Sequence, residues 1–226
     1  MSTNSTILDQ FYELKGGFGF MHSSVEPAVT LTPKGNLLPF ISDGMLTLAL
    51  PVIGYWSFSL LFHVIDTLKL AERYRIHPSE EVATRNRAGR IEVLCEVIFQ
   101  HIVQTTVGFV TQIWDTEPMT GFEHRDMWQW RQFLPSVIPD FAIYFGYMYG
   151  FSVIKLLLGF TFIDTWQYWL HRLMHTNMTL YRKFHSRHHR LYVPYAYGAL
   201  YNAPFEGFLL DTLGTGIAML LTGISY

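Results

Sequence analysis

Charge is what this sequence has least of. Only 15% of its 226 residues are Asp, Glu, Lys or Arg, against 50% hydrophobic and 16% aromatic. A soluble domain carries about 25% charged residues, so the shortfall excludes an ordinary soluble surface and points to a membrane. The net charge is −2 and the pI near 6.5, which removes the basic face that nucleic-acid binding requires. No nucleic-acid motif, internal repeat or low-complexity run is present. Cysteine is nearly absent. Cys95 stands alone in an apolar run, which rules out an internal disulfide and reads as a small buried apolar residue. Residues 1–40 lack both a basic start and a short apolar core, so no cleavable signal peptide is expected and membrane targeting falls to the first span.

What is present is a set of long apolar runs. Gly44 to Ile65 has no charged side chain and is long enough to cross a bilayer; Pro51 and Gly54 inside it are tolerated in spanning helices. Val97 to Trp114 forms a second span, with Trp114 placed as an interfacial anchor, and Gln100, His101 and Gln104 favouring a protein-facing side. A third lies within Phe141 to Trp169, where Lys155 implies either snorkelling to an interface or a broken helix. A fourth stretch, Phe208 to Tyr226, carries Asp211. The fold class expected is all-α: a polytopic integral membrane protein of three to four transmembrane helices, capped by a cytosolic, histidine-rich helical segment.

Loop charge orients the spans. Residues 66–90 carry Lys69, Arg73, Arg75, Arg85, Arg87 and Arg90, and residues 164–200 carry Arg172, Arg182, Lys183, Arg187 and Arg190. Residues 115–137 carry only Arg125 and Arg131, and residues 1–43 only Lys15 and Lys34. The positive-inside rule then makes the N-terminus lumenal, and loop 66–90 and the histidine stretch cytosolic. Asn4-Ser5-Thr6 becomes a usable glycosylation acceptor, while Asn177-Met178-Thr179 is expected to stay unmodified. Between the first two spans, Ser79 reads as the N-cap of a helix over 79–90 with Glu80 and Glu81 in its first turn.

Five of the ten histidines fall between positions 171 and 189, as HRLMH and then HSRHH. On a helix His171 and His175 share a face at i, i+4, and His185, His188 and His189 do the same at i, i+3, i+4. Two imidazole faces brought together can hold one or two ions of zinc, iron, copper or nickel; the plainer alternative is a set of polar histidines in a basic, membrane-proximal segment. HRLMH lacks the glutamate of H-E-x-x-H, which argues against zinc hydrolysis. An all-histidine site in a membrane protein suits oxidation of a lipid C–H bond, which needs a metal that changes oxidation state and so favours iron.

Several neighbours of the histidines are candidates for supporting roles. Asp164 lies about two turns before His171, too far to share its ion, and reads either as orienting a histidine from another segment or as an interfacial cap. Asn202, Pro204 and Glu206 follow in a turn-forming stretch. A glutamate beside an apolar segment is costly unless paired, so Glu206 faces the metal pocket or a cation, with a surface salt bridge as the alternative. Tyr192, Tyr195, Tyr197 and Tyr201 either line a substrate entrance or sit at the interface as tyrosines commonly do. No catalytic residue beyond the metal ligands stands out.

These residues carry a resemblance. HRLMH, HSRHH and the following VPYAYGALYNAPFEGFLLDTLGTG resemble the fatty acid hydroxylase superfamily of histidine-box membrane oxygenases. Further matches at GFGFMH (17–22), FHVIDTLKLAERYRIHPSEEVATRN (62–86), MTGFE (119–123) and GYMYG (146–150) narrow it to the fungal sphinganine C4-hydroxylases. The resemblance implies an endoplasmic-reticulum enzyme with a cytosol-facing non-haem di-iron centre. It implies O2 as oxidant and electrons from NADPH through a cytochrome b5-type carrier. His171, His175, His185, His188 and His189 become iron ligands, and sphinganine or dihydroceramide the substrate, hydroxylated at C4. It divides the chain into a lumenal segment, 1–43, and a hydroxylase membrane domain, 44–226. Family members continue past the position of Tyr226 through further spans and another H-x2-H-H cluster, and some carry histidine where Ala203 stands, so the chain reads as a hydroxylase truncated at its C-terminus. The rival expectations are an inactive or regulatory fragment that binds lipid or a partner, and a metal transporter.

Overall fold

The protein is described here by a computed structural model covering residues 17–224; Asn4-Ser5-Thr6 and Tyr226 lie outside the described residues. In chain order the elements are a short strand β1 (Thr32–Pro33), α1 (Asp43–Thr67), α2 (Ser79–Arg85), α3 (Arg90–Gln112), β2 (Met119–Thr120), α4 (Glu123–Phe133), α5 (Asp140–Phe145), α6 (Phe151–Thr176), α7 (Pro204–Gly207) and α8 (Gly214–Thr222). A widened π turn, Gly146–Gly150, joins α5 to α6, and another, Phe208–Leu213, joins α7 to α8. Four helical stretches are long and apolar enough to cross a membrane: Asp43–Thr67, Arg90–Gln112, Asp140–Thr176 and Pro204–Thr222. Their large side chains are left facing outward, Phe58 at 68% exposure and Leu157 at 60%. In water such surfaces would be untenable; in hydrocarbon they cost nothing. The chain is a polytopic, mostly helical membrane protein.

Each span differs from its sequence outline in an instructive way. Ser42 caps α1, its hydroxyl accepting from the Met45 amide at 3.3 Å, and the helix runs through Pro51 unbroken. The second helix begins at Arg90, seven residues before the apolar run, because Glu92 and Glu96 find basic partners. The expected helix over 79–90 ends at Arg85, and residues 86–89 form a break. Ser79 is not its N-cap: Pro78 occupies that place, and Glu72 receives both the Ser79 amide and its hydroxyl. Cys95 is exposed, not buried, since it lies on the outward apolar face of α3. The third span is continuous at Lys155, whose ammonium lies 4.8 Å over the Phe151 ring.

Two compact units emerge, Met1–Gly35 with Thr116–Leu157, and Asn36–Asp115 with Leu158–Tyr226. In the first, β1 and β2 pair antiparallel with Thr32 opposite Thr120. Gly121, at φ 107°, allows that close approach: a Cβ there would stand 2.1 Å from the Thr30 carbonyl oxygen. Met21, Met127 and Ile143 form its core. The nearly buried Arg131 guanidinium donates to the carbonyls of Leu134, Pro135 and Ile138, holding the turn after α4.

In the second unit α1 and α3 pack closely. Gly108 makes room for Leu48, whose Cδ2 would lie 2.4 Å from a Cβ at that position, and the Gln112 amide donates to the Gly44 carbonyl at 2.8 Å. Small residues at such crossings are how membrane helices gain contact without a hydrophobic drive. A core of Ala88, Val93, Val97, Tyr197 and Tyr201 joins α3 to the segment after the histidines.

Candidate metal centre

The last turns of α6 carry His171 and His175 on one face, as their spacing predicts. Asn177 then ends the helix: its side-chain oxygen accepts from the amides of Thr179 and Leu180. The chain re-enters as a single turn, Met178–Leu180, and widens into a π turn over Tyr181–His185, closed by the Ser186 amide on the Tyr181 carbonyl at 2.7 Å. A tight 3₁₀ turn follows at His188–Arg190. HSRHH therefore does not sit on a regular α-helix, as i, i+3, i+4 spacing suggested. One wide turn and one narrow turn set its three rings individually.

Four rings converge. Nε2 of His175 stands 3.1 Å from that of His171, 3.0 Å from that of His185 and 3.2 Å from that of His189, and Nε2 of His189 and His185 are 2.9 Å apart. The ligand atoms of His171, His175, His185 and His189 all lie within 4.8 Å of one another. A metal–imidazole bond of about 2.1 Å holds two nitrogens at right angles about 3.0 Å apart, so the observed spacings fit one shared ion. His175 and His189 are exposed while His185 is buried, which leaves one side of the centre open.

The protonation pattern suits a cation. His185 Nδ1 lies 2.5 Å from Glu206 Oε1, both side chains being buried. The carboxylate accepts from Nδ1–H, which leaves the Nε2 lone pair facing the other rings. Burial, reinforced by the neighbouring imidazoles, holds His185 and His189 down to about 4. Both are therefore neutral at pH 7, the form that ligates. Convergent lone pairs without a shared proton or ion repel, so this cluster is complementary to a metal rather than to itself.

The remaining candidates are placed less uniformly. His188 stands beside the cluster, its ring 5.5 Å from that of His185 and its Nδ1 3.2 Å from the Tyr201 carbonyl. With Nδ1–H donating there, Nε2 is its free ligand atom. Glu206 is bonded to His185 of the cluster and not to a surface cation. Asn202 is buried, close to Asp211. Tyr197 packs in the core against Trp56 and donates to the Arg90 carbonyl. Asp164 is exposed on α6, and no hydrogen bond links it to a histidine among the described residues.

What the sequence reading missed is the clamp that holds the HSRHH segment. Asn86 binds Val193 twice, its amide donating to the carbonyl at 2.9 Å and its oxygen accepting from the backbone N–H at 2.7 Å. Glu92 receives Arg190 and the Tyr201 hydroxyl, each at 2.8 Å, and Glu96 receives Arg187 at 2.7 Å. Burial first, then the Glu92 carboxylate, pushes the Tyr201 phenol up, so it remains a donor. The available signal was charge: Glu92 and Glu96 at i, i+4, opposite an arginine-rich stretch.

Known proteins resemble this chain in sequence. Residues 156–226 match the family described as fatty acid hydroxylase. The chain is 59% identical to a sphingolipid C4-hydroxylase of Saccharomyces cerevisiae, over 100% of this chain and 66% of that protein. It is 40% identical to a sphingolipid C4-hydroxylase of Schizosaccharomyces pombe, over 79% of this chain and 64% of that one. A sphinganine C4-monooxygenase of Arabidopsis thaliana is 35% identical, over 82% and 62% respectively. The chain thus spans just under two thirds of the length of these relatives. No solved structure matches.

Proposed function

This chain belongs to the fatty acid hydroxylase family, and from that premise we propose that it is a sphinganine C4-monooxygenase, adding a hydroxyl at C4 of sphinganine or dihydroceramide. The observation that carries this reading is the convergence of four imidazole nitrogens at 2.9–3.2 Å. That donor set fits iron: His171, His175, His185 and His189 would hold one ion, and His188, with Nε2 free, would be available to a second. Bound iron supplies redox chemistry with O2 that no side chain can perform. The relatives' names describe hydroxylation of sphingoid substrates, which supports the substrate class.

The chain's own residues orient and confine. Glu206 fixes the tautomer and ring angle of His185, so that Nε2 points at the centre. Asn86, Glu92 and Glu96 pin the segment that carries His185, His188 and His189. The exposed side at His175 and His189 leaves the centre accessible to the oxidant. The loop charges support a cytosol-facing centre with residues 1–43 lumenal; the resemblance to membrane hydroxylases supports an endoplasmic-reticulum location and a membrane domain over 44–226. NADPH through a cytochrome b5-type carrier is the electron source this reading calls for.

Mass spectrometry of long-chain bases tests it. Cells that lack phytosphingosine and express this chain are expected to accumulate 4-hydroxysphinganine. Absence of that product, with the protein present in membranes, overturns the assignment.

A further inference from the structure

Beyond the histidines, the second unit encloses a cavity of about 440 Å³ between α1, α3 and the C-terminal helical stretch. Its walls are mostly apolar, with Leu48, Val52 and Val107 among them. His101, Asp211 and Thr212 stand out among the polar residues that also line it: His101 Nε2, Asp211 Oδ2 and Thr212 Oγ1 are buried without a hydrogen-bond partner, whereas Gln112 at the far end donates to the Gly44 carbonyl. The other carboxylate oxygen of Asp211 is held by the Gln167 amide at 2.9 Å, so the side chain is fixed. Buried polar atoms left unpaired are costly. Three of them in a cavity whose surface is mostly apolar describe a ligand with a polar head and a hydrocarbon tail.

The dimensions agree. Along α3 the lining runs from His101 to Gln112, about 16 Å at about 1.5 Å per residue, enough for a long stretch of alkyl chain. Asp211 adjoins the metal centre: it lies five residues beyond Glu206, within the π turn Phe208–Leu213, and it is within electrostatic reach of both Glu206 and His188.

We infer that this cavity binds the amino-alcohol head of a free long-chain base, with the ammonium on Asp211 Oδ2 and the alkyl tail between α1 and α3. The inference rests on the hydroxylase reading and sharpens it. A carboxylate with one unmet oxygen is matched by an ammonium better than by the amide of an N-acylated base, since charge-assisted hydrogen bonds are about twice as strong as neutral ones. The carbon hydroxylated in that reading is two bonds from the amine-bearing carbon, so an anchor for the amine belongs beside the oxidising centre. Thr212 and His101 then serve the neighbouring hydroxyls.

Equilibrium binding to the purified full chain in nanodiscs decides the matter without turnover. The probes are sphinganine, N-acylsphinganine and octadecanol. Sphinganine is expected to bind about tenfold or more tighter than either neutral lipid. Asp211→Asn is expected to erase that preference while leaving octadecanol binding unchanged. Equal affinity for sphinganine and N-acylsphinganine, or undiminished sphinganine binding by Asp211→Asn, overturns the proposal. If that variant does not fold, Thr212→Val probes the neighbouring hydroxyl contact: a loss of about threefold or more for sphinganine supports the proposal, and no loss overturns it. Selective binding without any hydroxylated product would sink the enzymatic reading and leave the cavity assignment standing.

Discussion

The two histidine groups are built in opposite ways. His171 and His175 ride on a regular helix, where any two residues four apart share a face, and nothing beyond helicity is needed to align them. His185, His188 and His189 sit on a wide turn and a narrow one, geometries that are unfavourable alone and need external support. That support is visible as Glu206 behind His185, the Tyr201 carbonyl on His188, and the clamp from α3. A regular element places ligands through its own periodicity. An irregular one places them through its neighbours.

Substitutions can break this contrast or sharpen it. The largest effect is expected at His185, which is a proposed ligand and also bonded to Glu206: His185→Ala should lower metal affinity by about 100-fold or more, read as metal per chain after dialysis against a graded chelator. Glu206→Gln keeps the shape but leaves His185 without its carboxylate, and should cost about 10- to 100-fold in the same assay. His188→Ala should leave the first equivalent within about threefold and remove only a second one, because His188 lies outside the four-ring cluster; loss of both equivalents would erase the distinction between His188 and its neighbours. Asn86→Ala should change metal affinity least of all. It should lower stability by about 1–3 kcal/mol, measured as a shifted unfolding midpoint in detergent, because Val193 loses partners for both backbone groups.

The same contrast explains what could be read in advance. Spans follow from composition, and all four apolar runs became helices. HRLMH follows from a period that the helix guarantees. The shape of HSRHH does not, because its π turn and its 3₁₀ turn carry no distinctive residue pattern. The role of Glu206 was half legible: a carboxylate in an apolar setting needs a partner, yet nothing in the chain names His185 as that partner. Asn86, Glu92 and Glu96 stayed hidden since their partners lie about 100 residues away. Treating Val97 as the start of the second span also cut both glutamates out of the helix that presents them.

The clamp and the cluster differ in how far along the chain their partners lie, and this has a consequence for the order of events in folding. His171 to Glu206 is a single short stretch, and a loop of about 10 residues closes in about 10–100 ns. Asn86 and Val193 are 107 residues apart, and contacts of that range are entropically late. The histidines can therefore begin to gather while α3 is still undocked, and the distant clamp then fixes the turns that set their final geometry.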